Sequence, residues 1–258
     1  MAPMIVTRDE KGKAMLGPLG EEFSTFAISA RCAETGKFGV AISTRPMAVG
    51  TRCPFVKPGL GVVVTMAVTD PRLGPLGLRL LALGYSAAKT LEEISVSDPH
   101  IEHRQISVID RDGNAVARTG AANHDWSGHF CEPGMVAMGN GLISERTASA
   151  MADTFKAMNG DDLEARLMAA LEAGRDAGGQ HGGQHSAALI VYRAQEYPLV
   201  DLRVDEHVEP IGELRRLFDL YRPQIEYYET RPWQPTALGV VEDWVEARAK
   251  ARAARRKA

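Results

Sequence analysis

Nothing in this chain of 258 residues approaches the roughly 18 consecutive apolar residues of a membrane helix, and no apolar signal-peptide segment follows its first residues. Cysteine is also scarce. Cys32, Cys53 and Cys131 are an odd set with no Cys-x-x-Cys spacing, which suits a reducing compartment better than a disulfide framework. Charge of one sign does not accumulate either: 30 Lys and Arg against 33 Asp and Glu leave a net charge of −3. No global field therefore draws the chain to nucleic acid or anionic lipid. These absences lead to the expectation of a cytoplasmic protein with no nucleic-acid and no membrane partner.

What is present is ordinary globular composition, with 45% apolar and 24% charged residues. The length allows one large domain or two small ones, with a sizeable core in either case. Residues 1–24, with the charged run Arg8-Asp-Glu-Lys11 and the turn Gly17-Pro-Leu-Gly20, read as an arm before the domain. A hairpin follows, Thr25-Phe-Ala-Ile-Ser-Ala-Arg31 returning as Phe38-Gly-Val-Ala-Ile-Ser-Thr44. The valine-rich run 59–68, bounded by Pro58 and Asp70-Pro71, has the pattern of a strand buried on both faces. Segments 76–83 and 86–94 have helical spacing, with Ser86 placed to cap the second.

Strands are expected at 104–110 and 115–119 around the hairpin signal Asp112-Gly113, and helices at 145–158 and 161–174, the latter ended by Gly174. A loop rich in glycine, Gly178-Gly-Gln-His-Gly-Gly-Gln-His185, leads into strands at 186–192 and 200–204. Pro210 opens a helix to Tyr221. The order implies a sandwich of helices and sheet with mixed strand direction. Residues 223–258 form an extension whose end, acidic early and basic late, reads as a solvated helix or a frayed end.

Several dispersed segments carry a family resemblance: Thr25 to Arg31, Gly39-Val-Ala-Ile-Ser-Thr-Arg45, Ala48-Val-Gly50, Asp70-Pro-Arg-Leu-Gly74, His103-Arg-Gln105, Thr119-Gly120, Gly139-Asn140, Ser186-Ala-Ala-Leu189 and Val200-Asp-Leu-Arg-Val204. In this order they resemble the bacterial domain-of-unknown-function family 1028, over about residues 24–222. That family is assigned to the N-terminal-nucleophile (Ntn) hydrolases. The resemblance implies an α+β fold, a four-layer αββα sandwich at 25–222 carrying an N-terminal arm and a helical C-terminal tail. It also implies a hydrolase of a C–N bond, an open-chain or cyclic amide, acting on a small molecule as a homo-oligomer without a cofactor.

In such an enzyme Thr25 is the nucleophile and its own α-amine the base. Members of the family commonly begin Met-Thr-Phe-Ser, whereas here removal of Met1 exposes Ala2, so the Ser24–Thr25 bond has to be cut by self-processing or another protease. Asn140, following Gly139 in an expected loop, is the candidate side-chain donor to the oxyanion; the competing role is a turn residue. Arg45 stands where the family usually has lysine, placed to lower the nucleophile's pKa or hold a carboxylate, against the alternative of a surface ion pair. Ser43 and Thr44 are neighbours on one strand, so only one faces Thr25; Ser43 is taken as a substrate contact.

Asp70 and Arg72, at a strand-to-helix corner, are further substrate candidates, as are His103 and Gln180. His185 is a candidate acid or base. In the glycine-rich loop Gln180, Gly182 and His185 stand where relatives often have an acid, an arginine and a glutamine, and Met66 and Asp70 depart as well. Zinc is the rival chemistry, from His124, His129, His181 and His185, but the four glycines at 178–183 disfavour the helix that a His-x3-His pair needs, and no metal is expected. Two further readings stay open: a full-length chain in which His185, His103 or Asp70 activates water, and a domain for ligand binding or assembly without catalysis.

Overall fold

The computed structural model describes residues 7–8, 14–15, 24–123 and 125–255. The expected arm lies largely outside the described residues, which include only the antiparallel pair β1 (Thr7–Arg8) and β2 (Ala14–Met15), and Ser24. The hairpin β3 (Thr25–Arg31) and β4 (Phe38–Thr44) forms as the alternation predicts. It is followed by β5 (Pro54–Lys57), β6 (Gly61–Ala67), and the helices α1 (Leu73–Ala82) and α2 (Ala87–Ser97). Ser86 caps α2, its hydroxyl accepting from the Lys89 N–H at 3.2 Å.

Next come β7 (Arg104–Asp110), β8 (Ala115–Thr119), β9 (Trp126–Glu132), β10 (Met135–Leu142), α3 (Arg146–Ala157) and α4 (Leu163–Asp176). The chain continues through β11 (Ser186–Tyr192), β12 (Val200–Val204), α5 (Pro210–Tyr221), α6 (Ile225–Thr230) and α7 (Val241–Arg255). A helix thus ends the described chain, one of the two readings of the tail composition. No helix among the described residues is long and apolar enough to cross a membrane.

The fold is α+β with two principal sheets: one of six strands, ordered β12-β11-β4-β3-β10-β9, and one of four, ordered β5-β6-β7-β8. All the pairings are antiparallel, which corrects the expectation of mixed strand direction. The continuous apolar run of β6 is buried on both faces, as its pattern predicts. Val62 and Val64 face the six-stranded sheet, while Val63 faces α1 and α2.

Three cores result. Phe26 and Ile28 of β3 pack with Leu167 and Leu171 of α4 and Phe218 of α5. Ala27, Val40, Ile42 and Met138 meet Val62, Val64 and Ile109 between the sheets. Leu73, Leu81 and Ile94 cover Val63, Ile106 and Val108 on the outer face of the smaller sheet. Alternation along β3 thus sends even-numbered residues to helices and odd-numbered ones to the other sheet, where the Ser29 and Ser107 hydroxyls approach to 3.4 Å.

β5, β9 and β10 lack a clear signal in the sequence. In β10, Gly139, Asn140 and Gly141 are poor strand formers, yet the strand is held by ladders on both sides. Gly174 does not end α4, which continues to Asp176; a Cβ there would come within 2.8 Å of Met151 Cγ and 3.3 Å of Phe26 Cδ2, so the glycine allows close packing of helix on helix and sheet.

Two buried carboxylates tie elements together. Glu164 of α4 accepts from Lys37 Nζ at 3.0 and 3.1 Å, anchoring the β3–β4 turn to the helix. Asp110 accepts the Ala87 N–H that opens α2, together with the N–H groups of Asp112 and Asn114 and the Asn114 side-chain amide. Burial raises the Asp110 pKa, but these donors outweigh it and hold the carboxyl below its ordinary value. Replacing Asp110 by Ala therefore destabilises the protein by about 1–3 kcal/mol at neutral pH. A depressed pKa adds stability that is present above the unfolded value of about 4 and is lost as pH falls through the lower folded value. Urea midpoints of the two chains are expected to differ from pH 7 down to about pH 4 and to converge below it.

Candidate active site

Register builds the site. Thr25 lies directly opposite Thr44 of β4 and Asn140 of β10, and Thr44 is opposite Ser186 of β11. Residues directly opposite one another share a face, so Ser186, Thr44, Thr25 and Asn140 form one row across four strands. Two residues further along, Ala188, Ile42, Ala27 and Met138 belong to the core between the sheets, so the row faces that interface at the sheet end. All four of its members are buried.

The hydroxyls order themselves. Thr44 Oγ1 donates to the Ser24 carbonyl at 2.8 Å and lies 2.9 Å from Thr25 Oγ1. A hydroxyl has one proton. Thr44 spends its own on Ser24, so Thr25 donates to Thr44 and keeps its lone pairs unshared by that contact. A path of hydrogen bonds thus runs from the Thr25 hydroxyl to the carbonyl of the bond that precedes it.

The second sheet orients the amide. Asn140 Nδ2 donates to Gln105 Oε1 at 3.0 Å, and Gln105 Nε2 lies 2.9 Å from Thr119 Oγ1, 3.0 Å from the Gly128 carbonyl and 2.9 Å from that of Gly139. Three acceptors around Nε2 set the Gln105 amide with its oxygen toward Asn140. Asn140 therefore presents its NH2 group, with one hydrogen on Gln105 and one left over. Asn140 sits within a strand and not in the expected loop. Gly141 follows it at φ 59°, where a Cβ would stand 2.4 Å from Ser24 Oγ, so only glycine fits between Asn140 and the Ser24 side chain.

The glycine-rich loop lies against the end of β10, with the Ile143 N–H on the Gly179 carbonyl and the His181 N–H on the Gly141 carbonyl. Gln180 is buried, donating from Nε2 to the Gly183 carbonyl at 2.8 Å. Gln180 Oε1 and Ser24 Oγ are buried with no hydrogen-bond partner among the described residues. Arg45 is exposed and lies against Gly182 of this loop.

The remaining candidates lie differently. Ser43 pairs with Phe26, on the helix side of the sheet, and donates to the Ser186 carbonyl at 2.8 Å, so of the two neighbours it is Thr44 that faces Thr25. The His185 N–H donates to the Thr44 carbonyl, but its half-exposed ring has Nδ1 3.6 Å from Glu206 Oε1. Asp70 is clasped by Arg72, from the backbone N–H at 3.0 Å, Nε at 3.0 Å and Nη2 at 2.7 Å. These bonds, chiefly those of the Arg72 side chain, hold the Asp70 carboxyl below its ordinary range although burial acts the other way. His103 is exposed in the turn before β7.

Of the histidines considered for zinc, His124 lies outside the described residues, His129 Nδ1 is 2.9 Å from Thr119 Oγ1, and His181 Nε2 is 3.9 Å from Asp125. Among the described residues no three His, Cys, Asp or Glu side chains are grouped to hold a metal. Sequence reasoning did not single out Ser186 of the row, nor Gln105, which holds the Asn140 amide, nor Thr119, which bonds Gln105. Gln105 and Thr119 stand in quoted motifs, but only the register and the second sheet give them this place.

A family model described as "Family of unknown function (DUF1028)" matches residues 25–214, a span that starts at Thr25. Protein SPO2555 from Silicibacter pomeroyi, a crystal structure of that family, is 31% identical with a TM-score of 0.71, covering 77% of this chain and 89% of its own. Anbu, the ancestral β-subunit from Yersinia bercovieri, is 10% identical with a TM-score of 0.35 over 78% of this chain and 96% of its own, a likeness too slight to argue from. No curated protein matches the chain.

If the Asn140–Gln105 contact carries the orientation described, the two residues are energetically coupled. A double-mutant cycle of Asn140→Ala and Gln105→Ala is expected to show a coupling of about 1 kcal/mol in unfolding free energy. Strictly additive effects would show that the contact contributes nothing.

Proposed function

This chain belongs to the DUF1028 family, whose description names no activity, and we propose that it is an Ntn-type amidohydrolase with Thr25 as nucleophile. In this proposal residues 25–222 form the catalytic domain as an αββα sandwich, preceded by the arm 1–24 and followed by the extension 223–258. Support for the layer order comes from the three cores, helix on sheet, sheet on sheet and sheet on helix. The observation that carries the proposal is the Thr44 hydroxyl, bonded to the Ser24 carbonyl and to Thr25 Oγ1 at once.

The chemistry follows from that contact. Before cleavage the Thr25 nitrogen belongs to a peptide bond and is no base. Thr25 Oγ1 attacks the Ser24 carbonyl carbon, the C–N bond breaks as the hydroxyl proton passes to the departing Thr25 nitrogen, and the acyl group is left on the hydroxyl oxygen as an ester. Thr44 donates to the carbonyl oxygen as it gains charge. Water then hydrolyses the ester, releasing residues 1–24 and leaving a free α-amine beside a free hydroxyl. In the processed chain that amine takes the Thr25 proton while Oγ1 attacks a substrate amide, and the spare hydrogen of Asn140 Nδ2 serves the oxyanion.

Substrate contacts fall to the loop that flanks the row, through Gln180, with Arg45 beside it. Departure of Ser24 opens space next to Gly141. We assign no bond-making role to Ser43, Asp70, Arg72, His103 or His185, whose groups are engaged elsewhere or lie at the rim. The substrate class is a small molecule with an open-chain or cyclic amide. A homo-oligomer in the cytoplasm belongs to the same proposal and rests on the sequence.

Intact mass is the test. The purified chain is expected to lose residues 1–24 with time, Thr25→Ala to stay full length, and Thr44→Val to process more slowly by roughly 100-fold or more, in the range that follows loss of one oxyanion donor. A chain that hydrolyses amides while Ser24 remains joined to Thr25 overturns the proposal.

A further inference from the structure

The far end of β3 opens on a second site. Just beyond Arg31, a cavity of about 180 Å³ is lined by Cys32, Glu34, Phe155, Asp161 and Arg166 among others. Arg166 of α4 is 9% exposed, with its guanidinium 3.8 Å from the centre of the Phe155 ring. Nε and Nη2 both donate to the Phe155 carbonyl, at 3.2 and 3.0 Å, and among the described residues Arg166 has no ion pair. A guanidinium that is buried and makes no direct ion pair can receive a carboxylate of an occupant. Glu34 and Asp161 are exposed, also free of ion pairs among the described residues, and near enough to act electrostatically on Arg166. The cavity therefore offers one buried cation, two exposed carboxylates and the Cys32 sulfur in its lining.

The three cysteines differ in kind. Burial raises the Cys32 thiol, but the Thr35 side chain and the N–H groups of Thr35 and Glu34 outweigh it and bring the thiol below its ordinary value. Cys53 is buried and pushed up to about 11, and burial also raises Cys131. Thiolate character thus concentrates at the one cysteine that has an arginine beside it in a cavity.

We infer that Cys32 is a site of reversible mixed-disulfide formation with a low-mass disulfide that bears both carboxylate and ammonium groups, the class of cystine and glutathione disulfide. The Cys32 thiolate attacks one sulfur of the R–S–S–R disulfide. The old S–S bond breaks, a Cys32–S–S–R bond forms, and the other half leaves as R–S⁻, taking up the proton that Cys32 lost. The disulfide is the oxidant and Cys32 the sulfur oxidised. Arg166 receives a carboxylate of the incoming molecule, and Glu34 and Asp161 receive its ammonium group. This inference is independent of the activity proposed at Thr25.

The experiment treats the full chain with glutathione disulfide or with the neutral hydroxyethyl disulfide, and follows adducts by intact mass and peptide mapping. Glutathione disulfide is expected to modify Cys32 before Cys131, to react there faster than the neutral disulfide, and to be released by reductant. Arg166→Met is expected to slow glutathione disulfide by about tenfold and the neutral disulfide far less. Modification at Cys131 first overturns the inference, as does an equal slowing of both reagents. If Arg166→Met does not fold, the wild-type comparison decides: a neutral disulfide reacting at Cys32 as fast as the charged one overturns it.

Discussion

The pairing of β3 between β4 and β10 is the constraint on which the rest depends. A slip of one residue would turn Phe26 and Ile28 away from the helices and bring Thr25 and Ala27 into their place. Phe26 is fully buried against α4 and α5, so burial of this kind fixes the register. The same register sets Thr44 and Asn140 on either side of Thr25. Core packing and the polar row are two consequences of one alignment.

Polar groups at the sheet end are satisfied from the opposing sheet. Gln105 rises from β7 between two layers of apolar side chains and accepts from Asn140 while donating to backbone carbonyls of β9 and β10. Such a network fixes the orientation of the Asn140 amide because the Gln105 amide has its partners. Against that background Ser24 Oγ, next to Gly141, and Gln180 Oε1, in the glycine-rich loop, are buried without partners among the described residues. The proposed cleavage removes one of these two atoms; four other buried atoms, on Arg31, Thr65, Thr90 and Arg118, also lack partners among the described residues.

The two ends of β3 carry different chemistry for a physical reason. At its start the odd face looks into the gap between the sheets, where hydroxyls and amides pair with one another. Past its end the chain turns toward α3 and α4, and a sulfur meets the only face of α4 that buries an arginine against an aromatic ring. Glu164 on the neighbouring turn of α4 shows the contrast, because Lys37 neutralises it at 3.0 Å. Two residues on, Arg166 has no such partner.

Much of the chain was legible before any coordinates. The hairpin 25–44, the strands 104–110, 115–119 and 186–192, the helix opened by Pro210 and the Ser86 cap all follow from local periodicity and capping chemistry. Thr25 as the head of a central strand was also readable, as was the family. Tertiary structure alone decided β10, whose Gly139-Asn-Gly141 has no strand propensity and is held by its neighbours. It also chose Thr44 over Ser43, because alternation says only that the two differ and not which one faces the partner. It brought Gln105 to Asn140 and Arg166 to Cys32 across separations of 35 and 134 residues. Local sequence dictates the period of an element; which faces meet is set by the burial of whole layers, and no short stretch of chain contains that information.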